Sequence, residues 1–402
     1  MAETGGTPLR IVVLGMSINP ICGARDHATL LAQELERGGA SCTMHWLTRV
    51  ERSVGGSRAE IRAWLDGLTG ELHSSRPDVA IVHYSVFSYG HAGLPLFVRP
   101  MFRALRRADI PVIAVLHEFA YSWTSSGVRG KVWALTQRAA FVEVMRSCAA
   151  ALVTTDQRAQ WIRSRRWLPR RPVAVAPVFS NLPAPSLASR SGAAPASAAP
   201  APRGAFGTEG PRDTVGLFGY SYDAAASPLV LDALRRLVDE RGETRLVLLG
   251  APGGESPSAR RWREAADARG LADALSFSGT LSAQALSDAL ASCEVLLFVA
   301  SAGPSSRKGT LAASLASGRP VVAVDGPSRW DELARSDAAL IVAPTADALA
   351  AAVGGLLADE AEREALGTRS RAFSQERMSV ARAAEAVGEL MERAFTPDYG
   401  FD

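Results

Sequence analysis

The stretch Gly303-Pro304-Ser305-Ser306-Arg307-Lys308-Gly309-Thr310-Leu311 sets two cations beside a glycine and a hydroxyl, just ahead of a small-residue apolar run. That run, 312–318, has the composition of a buried helix of about two and a half turns, and Arg319-Pro320-Val321-Val322 reads as the next buried strand. The first N–H groups of a helix lack internal partners and share the positive end of its dipole, so Arg307 and Lys308 are delivered where an anion is favoured. Gly309 lets the backbone approach closely, and the Thr310 hydroxyl adds a donor. A phosphate ester with two or three negative charges suits such a place. Solvated cations on an ordinary strand–loop–helix connection are the plainer alternative for this segment taken alone.

Three further constellations follow strand-like runs. After 11–14 comes Gly15-Met16-Ser17-Ile18-Asn19-Pro20-Ile21-Cys22-Gly23-Ala24-Arg25-Asp26-His27, then a helix over 28–37. Gly23 is expected just before that helix, where a phosphate or sugar could meet the backbone. Asp26 either points into a ligand cleft or simply complements the helix dipole. The spacing is not GxGxxG, which disfavours a dehydrogenase-type dinucleotide site. After 112–116 come His117 and Glu118, placed for a sugar hydrogen bond and for proton transfer; a half-buried, internally satisfied His is the alternative. The segment 83–95 carries Tyr84 and Tyr89, and Tyr121 follows His117. These rings suit an acceptor surface or, equally, an aromatic satellite of the core.

The elements that must hold these residues alternate regularly. Short β-branched runs occur at 11–14, 42–46, 79–83, 112–116, 151–154 and 173–176, and again at 215–218, 246–249, 275–277, 295–299, 321–324 and 340–342. Longer Ala/Leu/Arg stretches of helical period separate them. Such runs are parallel strands buried on both faces, so the fold class is α/β: two Rossmann-like, doubly wound domains. The expected division is 1–182 as the first domain, 183–212 as an Ala/Pro/Ser-rich linker, 213–372 as the second domain, and 373–402 as a C-terminal helical segment. The last helix, expected over 375–394, packs on the second domain or reaches back to the first. Ligands of such sheets bind beyond the carboxyl ends of the strands at the switch point, which directs attention to a cleft between facing domains.

A chain of 402 residues, 47% hydrophobic and 21% charged, can build two cores. Its net charge of +3 gives no reason to expect nucleic acid. No apolar run spans a membrane, and residues 1–8 lack a signal-peptide core. Cys22, Cys42, Cys148 and Cys293 form no CxxC pair and have no His at ligand spacing, so neither a metal nor a disulfide framework is expected, and a reducing cytoplasm is. The basic segment 158–171, with Trp161 and Trp167, offers a surface for peripheral contact with an anionic membrane; a solvated face with packed rings is the simpler reading.

Taken in order, these pieces resemble the GT-B glycosyltransferases, and among them glycosyltransferase family 4. The resemblance rests on Cys22-Gly23…Asp26, Tyr84…Gly93-Leu94-Pro95, His117-Glu118, Val175-Ala176-Pro177…Asn181, Phe277-Ser278-Gly279-Thr280-Leu281 and Ser306-Arg307-Lys308-Gly309-Thr310. It continues through Ala316-Ser317-Gly318-Arg319-Pro320-Val321-Val322 and Phe373-Ser374-Gln375-Glu376.

The resemblance implies sugar transfer from a nucleoside-diphosphate sugar held by 213–372, without a cofactor or metal and with retention of anomeric configuration, onto a small-molecule or lipid-linked acceptor held by 1–182. Arg307 and Lys308 then neutralise the leaving diphosphate. Gly23, Gly219, Tyr220, Thr280, Ser305, Ser306, Gly309 and Thr310 border the donor, and His117 meets its sugar. Tyr84, Tyr89 and Tyr121 serve the acceptor, which is deprotonated by the phosphate, Asp26 or Glu118. Two departures stand out. Ser305 and Ala313 occupy positions where many relatives carry glutamates, and Gly219-Tyr220-Ser221-Tyr222-Asp223 is followed by no basic pair. They motivate the alternatives of a non-catalytic sugar-nucleotide binder or partner subunit, and of an epimerase on the same fold.

Overall fold

The computed structural model describes residues 8–20, 22–120, 127–186, 213–220 and 226–395. It forms two compact units, Met1–Pro177 with Val380–Asp402, and Val178–Ser379.

In the first unit six parallel strands run β1 (Arg10–Ser17), β2 (Ser41–Thr48), β3 (Val79–Ser85), β4 (Val112–Glu118), β5 (Ala150–Val153) and β6 (Val173–Val175), ordered β2-β1-β3-β4-β5-β6. The helices are α1 (Gly23–Arg37), α2 (Val54–Ser75), α3 (Val98–Arg107), α4 (Gly127–Ser147) and α5 (Asp156–Arg163). All but the first residue of β1 are buried, as expected for a central parallel strand covered on both faces. Ser53 and Thr155 cap α2 and α5 by accepting from the Gly56 and Arg158 amides. All six strand positions read from the sequence are found.

The second unit repeats the plan with β7 (Thr214–Phe218), β8 (Arg245–Leu249), β9 (Leu275–Phe277), β10 (Val295–Phe298), β11 (Val321–Val324) and β12 (Leu340–Val342). Its order is β12-β11-β10-β7-β8-β9, again parallel and again at the expected positions. Between them lie α6 (Ala226–Arg241), α7 (Pro257–Asp267), α8 (Ala283–Ala291), α9 (Gly309–Ser317), α10 (Asp331–Arg335) and α11 (Ala346–Ala358). Two apolar clusters fill the space on its two faces, one around Leu217, Leu248 and Leu297, the other around Leu249, Leu296 and Leu315.

The boundaries differ from those read in the sequence. Val178 donates to the Ser306 carbonyl at 2.8 Å and belongs to the second unit. The start of the expected linker is hydrogen-bonded along α8. Ser287 Oγ donates to the Pro183 carbonyl (2.6 Å), Gln284 to that of Ala184 (3.2 Å), and the Ser186 amide to Asp288 (2.7 Å). Residues 187–212 lie outside the described residues.

The single helix expected over 375–394 is two, α12 (Glu360–Arg377) and α13 (Val380–Phe395). At Met378 the backbone leaves helical geometry (φ −123°) and its side chain is buried in the second unit's core. α13 then buries Ala383, Ala386, Val387, Leu390 and Met391, an i, i+3, i+4 stripe, against α1, β5 and β6 of the first unit. No described helix is long and apolar enough to cross a membrane. The four cysteines are free, with Cys148 and Cys293 buried.

Candidate active site

In the second unit the strand order reverses between β7 and β10, so a ligand belongs beyond the carboxyl ends of those two strands. β10 leads into 299–308 and then α9. Gly303 (φ +82°) sits so close to the chain after β11 that an added Cβ would lie 2.7 Å from the Gly326 nitrogen. The same loop is held by bonds from Ser328 to the Ala302 carbonyl and from Trp330 to that of Pro304, each 2.7 Å. Ser305 and Ser306 are buried, while Arg307 to Thr310 are half-buried. Lys308 is the N-cap of α9, and its side chain makes no capping hydrogen bond there. The amides of the first turn therefore keep their donor capacity beside two cations, which is the chemistry of an anion site. Gly309 has room around it, the Val178 methyl lying 3.9 Å from where a Cβ would be.

Around this end the other expected residues separate into backbone and core. Gly219 follows β7 at φ +84°. The Tyr220 ring is not offered to a ligand: it is buried, its hydroxyl donates to the Gly253 carbonyl at 3.2 Å, and it packs edge-on against Phe277. Thr280 is exposed, its hydroxyl 3.6 Å from where a Cβ on Gly253 would lie, so the loops after β8 and β9 meet here. Ser305 and Ala313, at the two positions of absent carboxylates, are both buried.

The first unit reverses between β1 and β3, and its site is built from side chains. Gly15 lies between Trp46 of β2 and His83 of β3 in register. The Trp46 indole covers Gly15 so closely that a Cβ there would overlap the ring, and its Nε1 is fixed by Ser17 Oγ at 3.2 Å. Beyond this row stand three imidazoles: His27 from α1, His83 from β3 and His117 from β4. His83 Nδ1 and His117 Nε2 are 3.0 Å apart. The centroid separations are 5.5 Å (His27–His83), 5.2 Å (His27–His117) and 5.2 Å (His83–His117). Burial, reinforced by mutual repulsion, holds His27 and His83 well below the usual range, and burial with the nearby Arg158 brings His117 down to about 4. All three are neutral at pH 7.

Glu118 is not an isolated base. Its carboxylate pairs with Arg158 at 2.9 Å, while the same guanidinium also donates to the His117 carbonyl and stacks on Phe119. Arg158, Arg163 and Arg171 of the basic segment thus make internal bonds, the latter two to the Val173 and Met145 carbonyls, and Arg165 lies over Trp161. Those four belong to the fold.

Tyr84 and Tyr89 are corrections. Both are fully buried, and the Tyr89 hydroxyl donates to the His83 carbonyl at 3.2 Å. They are core residues and present nothing to an acceptor. Gly23 is the first residue of α1, not part of a preceding loop, and it and Asp26 are exposed at that helix start. Tyr121 lies outside the described residues. His27, His83, Trp46 and Arg158 were missed as site residues. The position of His83 at a strand end was the available signal; the others come from elements distant in sequence.

Residues 212–359 match the family model of glycosyl transferases group 1. That match falls almost entirely within the second unit. No curated protein matches the chain. Among solved structures the whole chain is similar to sucrose-phosphate synthase from Thermosynechococcus elongatus (TM-score 0.66, 15% identity, 96% of this chain and 99% of that one). It is similar also to Anabaena HepE in complex with UDP-glucose (0.66, 15%, 95% and 99%). A third is a UDP-N-acetylglucosamine 2-epimerase described from Listeria monocytogenes (0.59, 14%, 96% and 97%). At such identities the likeness establishes the GT-B fold.

Proposed function

We propose that the chain is a glycosyltransferase of the family 4 type, moving a sugar from a nucleoside-diphosphate sugar to a small-molecule or lipid-linked acceptor. The carrying observation is the start of α9, which its N-cap side chain leaves uncapped, with Arg307 and Lys308 beside it, at the switch point of the unit whose residues match the family model of glycosyl transferases group 1. As the sugar–oxygen bond breaks, negative charge grows on the departing diphosphate. Fixed amides and cations stabilise that charge without having to reorganise. Their presence supports a metal-independent reaction, with no cofactor beyond the co-substrate. Gly219, Gly279-Thr280 and the buried Ser305-Ser306 pair would border the nucleotide.

His117, neutral and with Nδ1 still available after its bond to His83, suits a sugar hydroxyl. With Glu118 committed to Arg158, the acceptor proton goes to the donor phosphate or to Asp26, and front-side delivery to the phosphate would retain configuration. The HepE complex with UDP-glucose supports a nucleotide-sugar donor here. A cytoplasmic site of action fits four free thiols.

One observation favours a second reading: buried Ser305 and Ala313 supply no carboxylate toward a sugar or ribose. It leads to a non-catalytic binder, and the epimerase-like fold adds interconversion as a third outcome. Calorimetric titration with UDP, GDP, dTDP and ADP, on the unaltered chain and on Arg307→Ala and Lys308→Ala, tests the donor site. Binding of one nucleotide that weakens in both variants is expected. Binding to none, or equal binding in both variants, overturns the assignment. Sugar release from the matching donor then separates a transferase from a binder, and sugar interconversion without acceptor identifies an epimerase.

A further inference from the structure

We propose that the first unit binds a transition-metal cation of the zinc type between His27, His83 and His117. The proposal is independent of the function argued above. Taking one ring nitrogen from each residue, the three lie within 4.8 Å of one another. A zinc ion 2.0–2.1 Å from each nitrogen places imidazole centroids roughly 3.2 Å from the metal and, at tetrahedral angles, roughly 5.2 Å from each other. The observed separations are 5.2, 5.2 and 5.5 Å. Two tetrahedral ligand nitrogens stand roughly 3.4 Å apart, and His83 Nδ1 and His117 Nε2 are already 3.0 Å apart.

His83 is 2% exposed and faces His117 through Nδ1, the nitrogen that would ligate. Burial also keeps the rings uncharged near neutral pH, the form that ligates. Each imidazole binds through a lone pair while its proton stays on the other nitrogen, so no proton need leave.

The scaffold holds the ligands in place. His83 is on a central strand, with the Tyr89 hydroxyl bonded to its carbonyl. His117 is on the next strand, its carbonyl held by Arg158, and the Glu118 carboxylate neutralises that guanidinium. His27 sits on the buried side of the first turns of α1. Three imidazoles leave one position of a tetrahedral ion for water or another oxygen ligand, the composition of an open zinc site. The cation is distinct in kind from a diphosphate-bound magnesium, which prefers oxygen ligands.

The test uses the untagged full chain, stripped with a chelator and titrated with Zn²⁺ by calorimetry near neutral pH. About one equivalent is expected, with a Kd on the order of micromolar or tighter. His27→Asn, His83→Gln and His117→Gln should each weaken binding about tenfold or more. X-ray absorption of the zinc-loaded unaltered chain, which needs no variant to fold, should show three imidazoles and an oxygen ligand. Absence of saturable uptake overturns the proposal. So does a sulfur- or carboxylate-dominated shell, or unchanged affinity in folded variants.

Discussion

The two units share one plan, a six-stranded parallel sheet with a switch point, yet they furnish that point with opposite materials. The second unit offers backbone: glycines at positive φ, a helix start that its N-cap side chain leaves uncapped, and two cations beside it. The first offers side chains: three neutral imidazoles flanked by a paired carboxylate. Fixed dipoles suit a permanently charged ligand, because they cost no reorganisation. Neutral ring nitrogens suit hydroxyls or a soft cation, which need lone pairs and hydrogen bonds. A doubly wound domain thus constrains where a ligand binds and leaves its chemistry to the loops.

The sharpest way to break this contrast is at the cation. Arg307→Ala should lower turnover on the matching donor by roughly 100-fold or more, as removing one preorganised stabilising group does elsewhere. The melting temperature should barely move. Near-normal turnover in the folded variant would place the diphosphate elsewhere.

Backbone closeness is the second unit's other device. Gly303→Ala puts a methyl 2.7 Å from the Gly326 nitrogen at a φ of +82°, at a cost of about 3 kcal/mol from strain and overlap. Denaturant unfolding should show it, and an unchanged midpoint would show that the Gly303–Gly326 approach relaxes.

The twelve strands and both sheets were legible in the sequence because parallel strands buried on both faces leave short β-branched runs between helices. The anion site was legible for a related reason: a loop and the helix after it are contiguous in the chain. The three imidazoles were not, since His27, His83 and His117 converge only when α1, β3 and β4 are placed side by side. Tyr84 and Tyr89 misled because loops and cores draw on the same aromatic residues, and only packing tells them apart. Arg158 looked like surface charge until the fold set Glu118 and the His117 carbonyl within its reach.

Titration sharpens the comparison from the first unit's side. The folded pKa values of His27, His83 and His117 are depressed, so the unfolded chain takes up their protons first as pH falls. Stability is full above the ordinary histidine value of about 6.5 and declines below it. For His117 the decline continues to about 4. Because Glu118 and Arg158 adjoin this group, the slope should be read against His117→Gln. That variant should flatten it by about 1 kcal/mol per pH unit between roughly pH 6 and 5. An identical slope would mean that His117 titrates normally.

Glu118→Gln separates a structural carboxylate from a catalytic base. As the partner of Arg158 it is worth about 1 kcal/mol of stability, since the pair is only partly buried. Turnover should fall less than about tenfold, whereas a general base would cost roughly 100-fold or more.

The smallest effects belong to the buried pair Tyr84 and Tyr89, whose hydroxyls differ in one respect. Tyr89 donates to the His83 carbonyl, while the Tyr84 hydroxyl has no hydrogen-bond partner among the described residues. Tyr89→Phe should cost about 1 kcal/mol by losing a buried hydrogen bond, and Tyr84→Phe should be neutral or slightly stabilising because it removes an unsatisfied polar atom. Acceptor KM should stay unchanged in both, because neither ring reaches the surface. A raised KM in either variant at full stability would return that ring to the acceptor site and make the first unit's contact surface deeper than its imidazoles.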